Sequence, residues 1–151
     1  MSFINFPILL PRTNNTTTMQ NISLTEDVKE VINKLRIVAA DMDACEIYRN
    51  SIGWQYGGYK IEAQLNHLKV ELEKKKKKKN NCKVAEIKMI RFLKNANVVN
   101  PTNSLILIPV NGDALFGNAT VIPDEGYYTD EDQRPLYGCG VDVVLVVLSS
   151  K

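Results

Sequence analysis

The sequence predicts an α+β protein, with an N-terminal helical hairpin or coiled coil followed by a small antiparallel β-rich C-terminal part. Three observations lead there. Apolar residues recur at alternating spacings of four and three from Leu24 to Cys45. After a glycine-rich break the same spacing resumes from Ile61 to Leu72. Beyond Pro101 the chain changes to β-branched runs punctuated by turn dipeptides. The implied division is an extended arm over 1–22, a helical coiled-coil region over 23–97 and a β-rich module over 98–151.

The arm, with Pro7, Pro11 and the polar cluster Asn14–Thr18, shows no period, and Pro11 opposes a helix. The first helix opens after a Ser23 or Thr25 cap, with Glu26, Asp27 and Glu30 where the helix dipole favours negative charge. Its stripe is Leu24, Val28, Val31, Leu35, Val38 and Met42, a heptad seam, with Ile32, Ile37 and Ala39 broadening it. Gly53, Gly57 and Gly58 surround Trp54 and Tyr56 and imply a chain reversal, because each glycine disfavours helix by about 1 kcal/mol relative to alanine. The second helix runs from Tyr59 to Lys79, with Ile61, Leu65, Leu68 and Leu72 as its seam. Two seams joined by a short loop predict an antiparallel helical hairpin. Asn80-Asn81 interrupts, and Val84, Ala85, Ile87, Met89, Ile90, Phe92 and Leu93, apolar on a broad face, predict a third helix over Cys82–Ala96.

In the C-terminal part, residues 104–108 read as a strand, Asn111-Gly112 as a hairpin turn, and Leu115–Ile122 as the returning partner. Pro123–Gly126 reads as a second turn and Tyr127–Arg134 as an acidic loop. Val141–Leu148 is almost entirely apolar and β-branched, so it belongs at the centre of a sheet.

The net charge of +2 selects no partner class, but its distribution is uneven. Residues 68–94 carry eleven basic and three acidic side chains, a balance of +8, and residues 109–142 one basic and seven acidic, a balance of −6. Such asymmetry predicts two binding faces or attraction between the halves. Three scattered cysteines give neither a disulfide framework nor a zinc pattern. The first residues lack the charged start and cleavage site of a secretory signal, and no stretch has the length of a membrane span, so the expected setting is intracellular, in cytoplasm or nucleus, with no membrane partner. The N-x-S/T sequons at Asn14, Asn15, Asn21 and Asn118 read as products of an asparagine-rich composition.

Candidate chemistry is sparse. His67 is the single histidine, with no nucleophile elbow or metal-ligand spacing to accompany it. Asp41/Asp43 and Asp130-Glu131-Asp132 lack the spacing and glycine of a calcium loop. Gly138-Cys139-Gly140 precedes a strand, whereas a phosphate loop follows one. No catalytic residue, metal ligand or cofactor is therefore assigned. Lys74, Lys75, Lys76, Lys77, Lys78 and Lys79 form a run that can contact a polyanion in a salt-sensitive, non-specific way. The aromatics Trp54, Tyr56 and Tyr59 serve equally as interface anchors or as caps of a helical pair.

The functional expectation is a non-enzymatic structural or scaffolding subunit. It would bind a protein partner, or a second copy, through the helical seam and the β module. The alternative is a nucleic-acid-associated subunit using the basic 68–94 segment. A chaperone subunit similar to prefoldin also combines a coiled coil with β hairpins. Prefoldin-like chains place their hairpins between two long helices, whereas here the strands come last.

Overall fold

A computed structural model describes residues 4–5, 19–40, 45–76 and 82–150. It overturns the predicted fold class. Strands dominate, and the chain is not a coiled coil with a small β appendage. The elements run β1 (Ile4–Asn5), β2 (Met19–Ile22), α1 (Glu26–Ala39), β3 (Cys45–Ile47), β4 (Gly53–Gly57), α2 (Tyr59–Lys76), β5 (Cys82–Phe92), β6 (Ala96–Val99), β7 (Leu105–Asn111), β8 (Ala114–Phe116), β9 (Ala119–Val121), β10 (Gly126–Thr129), β11 (Gln133–Tyr137) and β12 (Val141–Ser150).

They form two antiparallel sheets. The large sheet has the order β2-β10-β7-β12-β5-β4-β3 and the small one β1-β6-β11-β8-β9. Period-two side-chain alternation gives the large sheet two apolar faces. Leu105, Leu107, Val143, Leu145 and Val147 pack on Val98, Phe116, Val121 and Leu136 of the small sheet. Ile106, Ile108, Val144, Val146 and Leu148 pack under the two helices. The result is three layers: helices, large sheet, small sheet. The run Val141–Leu148 lies at the centre of the large sheet and is buried on both faces, which explains why it is apolar at every position but one.

The helices form where amphipathic spacing places them, but their apolar stripes are covered by the chain's own sheet. Thr25 is the cap of α1, its hydroxyl accepting from the Val28 amide at 3.2 Å. Val28, Val31, Ile32 and Leu35 of α1, and Ile61, Leu65, Leu68 and Leu72 of α2, are buried against that sheet. The helices also pack on each other. A spacing of four and three reports an apolar face and not what covers it.

The third predicted helix is strand β5. Its pairing with β12 slips between Val147, opposite Glu86, and Leu148, opposite Val84, so Ala85 is an extra residue. That bulge puts Val84 on the same face as Ile87 and Met89, while Ile90 and Phe92 face the small sheet. A strand with one bulge thus acquires the i, i+3 spacing of a helix.

The glycine-rich reversal is strand β4. Gly53 pairs with Phe92, and a Cβ there would lie 1.8 Å from the Arg91 carbonyl oxygen. Gly53→Ala should therefore push β4 off β5 and cost about 2 kcal/mol or more, read as a lower denaturant midpoint. Asn111-Gly112 does not close a hairpin. It links β7 of the large sheet to β8 of the small one, and of its two residues only Gly112 has positive φ, +86°. Within the predicted acidic loop run β10 and the start of β11.

Candidate functional site

Asp142 is the one polar residue in Val141–Leu148, and its side chain is buried. It lies on the helix-side face with Val144 and Val146. Three other strands converge on it. From β4, the Tyr56 hydroxyl reaches over β5 and donates to Oδ1 at 3.0 Å. From β5, Arg91 Nη1 donates to both oxygens, at 3.2 and 3.1 Å. From β7, Asn111 Nδ2 donates to Oδ2 at 3.2 Å. A bulge between Asp142 and Val143 in the β7–β12 pairing turns the Asn111 amide towards that carboxylate.

Three donors make four hydrogen bonds, two to each oxygen of the carboxylate. Asp142 is thus held at both oxygens by its own chain, which suits a structural pin. Burial, and then the Asp142 charge, raise the Tyr56 pKa above its ordinary value, so the phenol is a neutral donor at physiological pH. Shifting β12 by one residue would exchange Asp142 for a valine on this face, so the cluster also specifies register.

Beside this hub lies an aromatic and cationic surface. Trp54 meets Tyr56 edge-on, with centroids 6.1 Å apart at 74°. The Arg49 guanidinium sits 4.5 Å from the Trp54 ring centre and the Arg91 guanidinium 5.7 Å. Arg49 is also paired with Glu46. Trp54 Nε1 is buried without an acceptor among the described residues. Next to Arg49, Tyr48 is 78% exposed and holds φ at +52°, a region unfavourable for a bulky side chain.

The residues singled out from sequence fall elsewhere. Of the predicted assembly seam, Val28, Val31, Leu35, Ile61, Leu65, Leu68 and Leu72 are core residues, Leu24 and Val38 pack on the core partly buried, and Met42 lies outside the described residues. Lys74, Lys75 and Lys76 end α2, where Lys74 pairs with Glu71, and Lys77, Lys78 and Lys79 lie outside the described residues. His67 Nε2 is 3.4 Å from Glu71 on the exposed side of α2. Tyr59 is exposed, while Tyr56 is buried in the hub. Asp41 and Asp43 lie outside the described residues, and Glu131 is tied to Arg134. Among the described residues no group of acidic, histidine or cysteine side chains could hold a metal, and no helix is long and apolar enough to cross a membrane.

Sequence reasoning missed Asp142. The available signal was a lone carboxylate inside an apolar strand, since such a group needs partners to be buried. No family model matches the chain, and neither a curated protein nor a solved structure matches it.

Proposed function

We propose that the protein is a non-enzymatic assembly subunit that binds a protein partner at the β3–β4 end of its large sheet. The observation carrying this reading is Tyr48, a tyrosine held at positive φ and left 78% exposed beside Arg49 on Trp54. Positive φ costs a non-glycine residue about 1 kcal/mol or more, and an exposed ring recovers little of that by burial. Tryptophan, tyrosine and arginine are the residues most enriched at the energetic centres of interfaces. The hub makes the surface rigid, because Tyr56 and Arg91 both contact Trp54 and both are tied to Asp142. The apolar helical seam has no part in this reading.

Trp54 is the only tryptophan, so its emission reports on this surface alone. Affinity purification with the wild-type chain should yield a protein partner that shifts Trp54 emission. The Tyr48→Ala/Arg49→Ala variant should fold normally and bind that partner about thirtyfold more weakly, equivalent to about 2 kcal/mol. Equal binding by the variant would place the interface elsewhere. Recovery of nucleic acid bound steeply against salt would favour the basic 68–94 segment instead.

A further inference from the structure

We propose that Asn111 is a site of spontaneous deamidation, and that the reaction unlocks the Asp142 hub. Asn111 is followed by Gly112, which is exposed and has no Cβ to hinder attack by its own backbone nitrogen. In the reaction, the Gly112 backbone nitrogen loses its proton and bonds to the Asn111 Cγ. The Cγ–Nδ2 bond breaks, ammonia leaves and a succinimide ring closes. Water then opens the ring at either carbonyl, giving aspartate or isoaspartate. Water is the one co-reactant, and no electrons are transferred.

Asn111 ends β7, opposite Asp142, so the reacting peptide bond lies in the turn that carries the chain to the small sheet. Ring closure requires the Asn111 amide to leave its 3.2 Å bond to Asp142 and swing onto its own backbone. The rate therefore measures how often the hub opens. The product cannot re-form the bond. It replaces an amide donor by a carboxylate facing the buried Asp142 carboxylate, with Arg91 the one cation bonded to Asp142 among the described residues. Like charges at that distance disfavour the closed arrangement, and isoaspartate adds a backbone atom at the bulge that sets the β7–β12 register. Modification of one exposed turn thus loosens the seat of Tyr56 and Arg91.

The test is incubation of the intact protein in mildly alkaline buffer at physiological temperature, followed by peptide mapping. Amide-to-acid conversion should appear at Asn111, with both aspartate and isoaspartate products, while the protein is still folded. Asn111→Gln keeps an amide but would have to close a six-membered ring, so it should not convert at this position. Asn111→Asp should mimic the aged protein, lowering the melting temperature on the order of 5 °C. If the folded protein keeps its amide while an isolated peptide of residues 105–116 converts, the native turn shields Asn111 and the site proposal fails. Conversion together with an unchanged melting temperature in Asn111→Asp would refute the coupling to the hub.

Discussion

Asp142→Ala should destabilise the protein by about 3 kcal/mol, the scale for removing one partner of a buried charge pair. It leaves Arg91 without a counterion and the Tyr56 and Asn111 donors without an acceptor, at the junction of four strands. Arg91 is 31% exposed in its side chain and regains some hydration, which keeps the cost near the lower end of that range. Asp142→Asn preserves shape and part of the bonding and should cost less, about 1–2 kcal/mol. Chemical denaturation of the three proteins measures both values. Equal stability of wild type and Asp142→Ala would mean that the four strands do not meet at this carboxylate.

Leu35→Asp should prevent stable folding. Leu35 is fully buried between α1 and the large sheet, so the substitution leaves an unpaired carboxylate among Ile, Val and Leu side chains. Loss of near-ultraviolet circular dichroism together with aggregation or protease sensitivity is the expected result. A seam used only between chains would give a different outcome, a well-folded variant of lower molar mass. The two readings of the same heptad are therefore separable by measuring fold and mass on one sample.

What the sequence made legible was local. The cap and first turn of α1, the start of α2 at Tyr59 and the central strand Val141–Leu148 rest on patterns that neighbours do not alter. What it hid was tertiary. The stripes of α1 and α2 carry no mark distinguishing a sheet from another helix. The bulge at Ala85 broke the period-two alternation of β5 and produced a helical spacing. Glycines in β4 suggested a turn because their propensity is poor, yet Gly53 is required by the close approach of the Arg91 carbonyl. Asn111-Gly112 does turn the chain, but between sheets, a difference that depends on where β8 finds its partner. The hub draws on residues 56, 91, 111 and 142, whose association no spacing rule expresses.

Residues 82–92 form a strand beside β12 in a sheet covered by the helices. Solution NMR tests this arrangement most directly, through contacts between backbone protons of 82–92 and of the last strand. Cross-strand contacts between Met89 and Val144 and between Arg91 and Asp142, with a break in the pattern at Ala85, are the expected result. Sequential helical contacts three residues apart along 82–92, with none to Val144, would contradict it.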